Sequence, residues 1–174
     1  VQKIEDQGKL KKLTTTEGDI YAKAVLIATG SEYKKIGVPG EEEYYARGVH
    51  YCATCDGAFY RDKKLVVVGG GNSAVQESMF LTKFASHIDI LVRGKLRASD
   101  VLVKELEKHN DKITVHIGIT TDEIVGQEGK VTKVIGTDVA SGKKIEFATN
   151  GVFVFVGLRP STKFLSGIGI EVDI

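Results

Sequence analysis

Two thiols separated by two residues stand in the run Cys52-Ala53-Thr54-Cys55-Asp56-Gly57 of a 174-residue chain. Such a pair can close into a small disulfide ring and store two electrons reversibly, because thiolate formation is often favoured in these units. Twelve residues beyond Gly57, the chain runs Gly69-Gly70-Gly71-Asn72-Ser73-Ala74, a candidate dinucleotide turn. A nicotinamide nucleotide delivers electrons as hydride, and hydride does not normally pass straight to a disulfide, so a flavin is the economical intermediary. Two other readings of Cys52 and Cys55 stay open: half of a zinc site, for which the chain offers no second cysteine pair, and inert buried thiols. Asp56 is placed to hold a proton for a leaving thiolate, or serves as a cap or turn residue. His50 reads as a packed or exposed side chain beside the motif. Glu77 either touches a bound cofactor or faces solvent.

The pattern Gly69-x-Gly71-x-x-Ala74 follows an apolar run and opens a helical one. In that context Gly69 permits the tight turn and Gly71 lets backbone approach a pyrophosphate. Ala74 allows close helix packing, and the helix N-terminus with Asn72 and Ser73 presents unpaired N–H groups to the anion. The alternative is a Gly-rich turn with no ligand. At the end of the next strand an NAD site carries a carboxylate, but this chain has Leu91-Val92-Arg93-Gly94-Lys95-Leu96-Arg97, with Asp89 inside the strand. Arg93 and Arg97 are suited to a 2′-phosphate, which favours NADPH. Ordinary surface arginines are the competing reading.

Positioning these groups calls for an α/β fold. Residues 64–68 read as a β-branched strand, 73–84 as a helix and 87–92 as a second strand, giving a βαβ unit of about 30 residues. A helix over 102–109, capped by Ser99, and a strand over 113–118 follow. Segments 121–125, 130–138 and 143–147, divided by turn residues, indicate an antiparallel meander. The apolar stretch 152–156 reads as a buried strand returning to the parallel sheet. Upstream, 9–16 and 19–28 suggest a hairpin about Glu17-Gly18 whose second strand becomes buried through 24–28. A polar connector with Pro39-Gly40 and a solvated acidic run at Glu41, Glu42 and Glu43 then reads as a linker. The expected class is a Rossmann-like α/β nucleotide-binding domain: a parallel sheet with helices plus an antiparallel meander.

With 24 basic and 23 acidic residues the net charge is +1, and no basic cluster supports nucleic-acid binding. No apolar run approaches the roughly 20 residues of a membrane-spanning helix, and no signal peptide is visible at the start. One close cysteine pair suits a reducing cytoplasm better than a disulfide-stapled secreted scaffold.

On Cys52-Ala53-Thr54-Cys55-Asp56-Gly57 the chain resembles the low-molecular-weight, bacterial-type thioredoxin reductases. The similarity continues through Arg47-Gly48-Val49, Phe59-Tyr60-Arg61, residues 69–74, Arg97-Ala98 and Gly157-Leu158-Arg159-Pro160. The resemblance implies electron flow from NADPH through FAD to the Cys52–Cys55 disulfide and on to thioredoxin. It implies that Cys55 lies against the flavin, that Cys52 attacks the partner disulfide and that Asp56 is the proton donor. It also implies a homodimeric full-length protein in which the nucleotide domain is inserted into a FAD domain. Ala28, Thr29 and Gly30 resemble the strand end at which the FAD domain hands over. The corresponding division is 1–47 partial FAD-domain segment and linker, 48–157 NADPH domain with the dithiol, and 158–174 the returning FAD-domain segment. Such a piece is expected to turn over poorly by itself. The family's His-Arg-Arg is replaced by Leu91-Val92-Arg93, which removes one expected guanidinium. A related reductase of a peroxiredoxin partner normally has Pro-His between its cysteines, against Ala53-Thr54 here; a non-catalytic nucleotide-binding module is the remaining alternative.

Overall fold

Apolar residues at consecutive positions of a strand need cover on both faces of the sheet, and residues 64–68 receive it. In the computed structural model, which describes residues 1–169, contacts divide the chain into two units. One comprises Val1–Glu32 with the segment that starts at Leu158; the other comprises Tyr33–Gly157. The end of the expected 158–174 segment, residues 170–174, lies outside the described residues.

In the first unit β1 (Lys3–Asp6), β2 (Lys11–Thr15) and β3 (Gly18–Ala22) form an antiparallel sheet in that order. The expected hairpin is present, with Thr15 opposite Gly18 and the Thr15 hydroxyl donating to Gly18 O at 2.8 Å. β1 has no counterpart in the sequence reading, because Ile4 is its only apolar residue; Ile4 is buried and Lys11 pairs with Asp6 beside it. Residues 24–28 depart from the expected buried strand. Pairing with β2 ends at Ala22, no described strand flanks the next residues, and Leu26 is left 92% exposed. β4 (Ser31–Tyr33) follows.

The second unit contains β5 (Val49–His50), α1 (Ala53–Asp56) running into a 3₁₀ turn over Gly57–Tyr60, β6 (Lys64–Val68), α2 (Asn72–Leu81), β7 (His87–Val92), α3 (Asp100–Leu106) and β8 (Ile113–Ile117). The meander β9 (Ile119–Gln127), β10 (Lys130–Asp138) and β11 (Lys144–Ala148) comes next, then β12 (Gly151–Val154). β13 (Leu158–Pro160) pairs with β4. The main sheet is parallel in the order β5-β12-β6-β7-β8, so β12 returns between β5 and β6. Alternation along β6 sorts its residues between two cores. Leu65 and Val67 join Ile88, Ile90 and Phe153 against Ala74, Val75 and Leu81 of α2. Val66 and Val68 join Leu91, Val152 and Val154 against Ile124, Val134 and Phe147 of the meander. Each fully buried Val or Ile contributes about 1.5–3 kcal/mol, which is why a sheet covered on both sides dominates this unit. The α/β architecture is therefore the expected one.

Residues 33–47 correct the linker reading. Glu42 and Glu43 are exposed, but Glu41 is 1% exposed and Tyr44 is buried. The Glu41 carboxylate accepts from Ile36 N at 3.0 Å, Gly37 N at 2.7 Å and the Tyr51 hydroxyl at 2.8 Å. Those three donors offset the cost of taking a charge out of water, so an acidic triplet that reads as a solvated surface carries a structural anchor. Ser99 sits at the N-cap of α3, yet its side chain makes no capping bond; instead its N–H donates to Asn72 Oδ1 at 2.9 Å.

Candidate active site

β5 ends one residue before Tyr51, and the alternation of its side chains decides what surrounds the dithiol. Val49 points to the meander core, while His50 lies on the helix side and stacks on Phe153 with ring centroids 5.2 Å apart. Tyr51 is held by Glu41 and stacks on Tyr33 at 5.5 Å. Burial first, then the Glu41 carboxylate, push its phenol well above the ordinary range. With the preceding residues anchored in this way, Cys52 enters α1 as its N-cap, and its Sγ accepts from Cys55 N at 3.2 Å. The single turn of helix sets the two Cα atoms 5.3 Å apart, within bridging distance, and the sulfurs are joined. The Thr54 hydroxyl donates to Cys52 Sγ at 3.4 Å.

Asp56, directly after Cys55, is partly exposed, and its Oδ2 lies 3.0 Å from Nδ1 of the buried His50. The other ring nitrogen of His50 is 2.7 Å from the Tyr60 hydroxyl. Burial, reinforced by the Asp56 carboxylate, pushes the Tyr60 phenol up to about 12. Sequence reasoning singled out Asp56 but did not join it to His50 or Tyr60. A usable signal existed: Tyr60 follows Asp56 by four residues in a helical continuation, a spacing that places side chains on one face. Nothing in the sequence marked Glu41. Among the described residues no group of three or more His, Cys, Asp or Glu side chains is placed to hold a metal ion.

The glycine turn lies between β6 and α2. Gly69 has φ +146°, and a Cβ there would fall 2.4 Å from Phe155 O and 3.1 Å from Ala74 Cβ. It is therefore the point at which the end of β6, the backbone just past β12 and the first turn of α2 converge. A Cβ on Gly70 would strike Val92 Cγ1 at 2.6 Å. A Cβ on Gly71 would meet no atom within 4 Å, so space for a ligand lies on that side of the turn, with the first N–H groups of α2 behind it. Ala74 is fully buried, while Asn72 and Ser73 are exposed. Arg97 is brought to the turn by its own N–H, which donates to Gly70 O at 2.6 Å, and Arg93 follows the last residue of β7. Both side chains are exposed and form no ion pair among the described residues. Val92, where a further guanidinium was expected, is 3% exposed and faces the helix-side core, so that position does not point to solvent. Glu77 is partly buried, and burial raises its carboxyl.

The second unit thus holds the dithiol after β5, the glycine turn after β6 and the arginines after β7, each following the carboxyl end of a parallel strand. β12 and β7 flank β6 on opposite sides, and a reversal of strand order of this kind is where open α/β sheets bind ligands. Ala28, Thr29 and Gly30 belong to the first unit; they are exposed and irregular, with Gly30 O accepting from Ser161 N at 3.0 Å.

Comparison with known proteins agrees with this arrangement. The family model described as pyridine nucleotide-disulphide oxidoreductase matches residues 1–174. A thioredoxin reductase of Bacillus subtilis is 44% identical over 171 residues, covering 98% of this chain and 54% of that protein. One from Listeria monocytogenes is 40% identical over 174 residues, covering 99% and 54%. The crystal structure of Lactococcus lactis thioredoxin reductase superimposes with a TM-score of 0.87 at 42% identity, covering 98% of this chain and 56% of that one. The Streptococcus pyogenes enzyme gives 0.84 at 44% identity, covering 99% and 56%. The chain spans about half the length of the relatives it matches. With a closed Cys-x-x-Cys pair and a glycine turn on one parallel sheet, and a family match over its whole length, the chain belongs to the pyridine nucleotide-disulphide oxidoreductases.

Proposed function

We propose that this chain is the nucleotide-binding part of a thioredoxin reductase, which takes electrons from NADPH and delivers them through FAD and the Cys52–Cys55 disulfide to thioredoxin. The observation that carries the reading is the closed Cys52–Cys55 pair at the start of α1, on the same unit as an open dinucleotide turn. Similarity to thioredoxin reductases over nearly the whole chain supports the choice of acceptor.

The residues present fit a dinucleotide phosphate. The pyrophosphate would lie on the open backbone of Gly71 and the N-terminus of α2, where Asn72 and Ser73 begin the helix. The exposed guanidiniums of Arg93 and Arg97, without an ion pair among the described residues, would meet the 2′-phosphate. When bound, NADPH supplies hydride and FAD converts it to electrons that a disulfide accepts. For FAD this chain offers Ala28, Thr29 and Gly30, one exposed edge of a site; in our reading the other half of the longer protein supplies the remainder. The chain's own chemistry is thiol exchange. On reduction the S–S bond opens, Cys52 becomes the exchanging thiolate toward the partner disulfide, and Asp56 passes a proton to or from Cys55. The division proposed is 1–32 and 158–174 as FAD-domain segments around an NADPH domain over 33–157, since residues 33–47, expected as FAD-domain segment and linker, pack with the nucleotide unit, in a homodimeric cytoplasmic protein. Among the described residues no helix is long and apolar enough to cross a membrane.

The test is to mix the purified chain with FAD, NADPH and thioredoxin and to follow disulfide reduction, beside the same assay on the full-length protein. Thioredoxin-dependent turnover by the full-length protein, with little or none from the chain alone, is the expected result. A full-length protein that reduces no thioredoxin refutes the proposed acceptor, and sustained turnover by the chain refutes its reading as a part.

A further inference from the structure

The imidazole of His50 is 6% exposed, yet both of its nitrogens are engaged: Nδ1 with Asp56 Oδ2 at 3.0 Å and Nε2 with the Tyr60 hydroxyl at 2.7 Å. Its ring is fixed from two sides, stacked on Phe153 and edge-on to Tyr60. The direction of each hydrogen bond follows from what each partner can donate. A carboxylate oxygen only accepts, so the Nδ1 edge faces Asp56 Oδ2 as the donor, and a ring carrying that one proton accepts at Nε2 from the Tyr60 hydroxyl. An imidazole held in one tautomer by its far nitrogen is the usual device by which a neighbouring group orients a histidine; here the histidine in turn orients a carboxyl group next to a redox cysteine.

We propose that His50 is a positioning residue for the dithiol: by holding Asp56 Oδ2 it fixes the carboxyl group through which Cys55 exchanges its proton. The inference rests on the reading of Cys52 and Cys55 as a redox pair and of Asp56 as its proton donor. When an external thiolate attacks Cys52 Sγ, a bond forms between the two sulfurs and the Cys52–Cys55 bond breaks. Its electron pair goes to Cys55 Sγ, which takes a proton that water delivers by way of the Asp56 carboxyl group, whose side chain is 30% exposed. His50 keeps its Nδ1 proton throughout, so it acts through Asp56 and does not itself donate to sulfur.

The experiment measures the rate at which dithiothreitol opens the disulfide of the chain at pH 7, read by thiol labelling, with unfolding stability measured in parallel. His50→Phe keeps the ring and its stack on Phe153 but has no donor; His50→Asn gives up the ring but places an amide N–H where Nδ1 was. Positioning through Asp56 predicts that the Phe variant opens about 10-fold more slowly, a part of the 10²–10⁴-fold typical of general acid–base catalysis, and that the Asn variant recovers most of the rate although it is the less stable of the two. A packing role predicts the reverse order, and that order overturns the inference. Tyr60→Phe removes one hydroxyl and should slow opening about fivefold, the effect of one lost hydrogen bond; a parental rate there also overturns it. If the parent disulfide does not open and reclose reversibly, the redox reading falls and takes this inference with it. A reversible parent disulfide with a parental rate in His50→Phe refutes only the role of His50.

Discussion

Adding one methyl group at each of two glycines, two residues apart, separates what the turn does for the fold from what it does for a ligand. At Gly69 the backbone has φ +146°, where an L-residue is strained by about 1–3 kcal/mol. The new Cβ would also lie 2.4 Å from Phe155 O and 3.1 Å from Ala74 Cβ, and overpacking of that kind costs about 1–3 kcal/mol more. Gly69→Ala should therefore lose about 2–6 kcal/mol of stability, and for a chain of this size each kcal/mol moves the melting temperature by roughly 2–4 °C. At Gly71 the backbone is at φ −94° and ψ −178°, conformations open to any residue, and an added Cβ would meet no atom within 4 Å. Gly71→Ala should hold its stability within about 0.5 kcal/mol. If the pyrophosphate lies against that backbone, the methyl group holds it away. A loss of about 2 kcal/mol raises the Kd for NADPH roughly 30-fold. Thermal melts and calorimetric titration of both variants decide the matter. A Gly71→Ala protein that binds NADPH like its parent refutes the ligand assignment; a Gly69→Ala protein that melts like its parent refutes the account of the turn.

Arg93→Ala and Arg97→Ala should each weaken NADPH by about 1.5–3 kcal/mol, the size of a charged hydrogen bond, and leave NADH nearly unchanged; equal losses for both nucleotides in parallel titrations would show that neither guanidinium reads the 2′-phosphate. Glu41→Ala leaves the N–H groups of half-buried Ile36 and exposed Gly37 and the buried Tyr51 hydroxyl without their acceptor, at about 1–3 kcal/mol for the buried hydroxyl, so denaturant unfolding should shift clearly, while Glu43→Ala on the exposed side should not. Tyr51 and Tyr60 both ionise later in the folded chain than in the unfolded one. Their contribution to stability is complete below the free phenol value near 10 and declines as pH rises from there toward the folded values. Tyr44 is raised as well, first by its hydrogen bond with Glu43, so in spectrophotometric titration three of the six tyrosines should lag the rest in the native protein and fall into line once it is unfolded; six phenols titrating together in the folded state would contradict these shifts.

Legibility in the sequence followed the range of the interaction. The βαβ unit, the meander and the returning strand were readable because each is written in local periodicity and turn residues: β6 in four consecutive apolar positions, the turn in Gly69 and Gly71, the meander in its glycine breaks. β1 was missed because one buried isoleucine gives no period, and residues 24–28 were over-read because apolar character promises burial without saying which strand provides it. The closed cysteine pair and the glycine turn are legible from residue type and spacing alone, since a Cys-x-x-Cys pair and a Gly-x-Gly-x-x-Ala turn are each set by neighbours within six residues.

What surrounds those motifs was settled only by the chain's return on itself. Glu41 reaches Tyr51 across ten residues, and an acidic triplet carries no mark to show which member is buried. Phe153 supplies the ring beneath His50 from about a hundred residues away because β12 inserts next to β5. Val92 and Arg93, adjacent in sequence, separate into core and solvent because β7 ends at Val92 and Arg93 lies past the covered sheet. The sequence by itself determined where the cysteine pair, the glycine turn and the arginines stand along the chain; their burial and partners came from strand order, because hydrogen bonding and desolvation act between residues that only the folded sheet brings within a few ångströms.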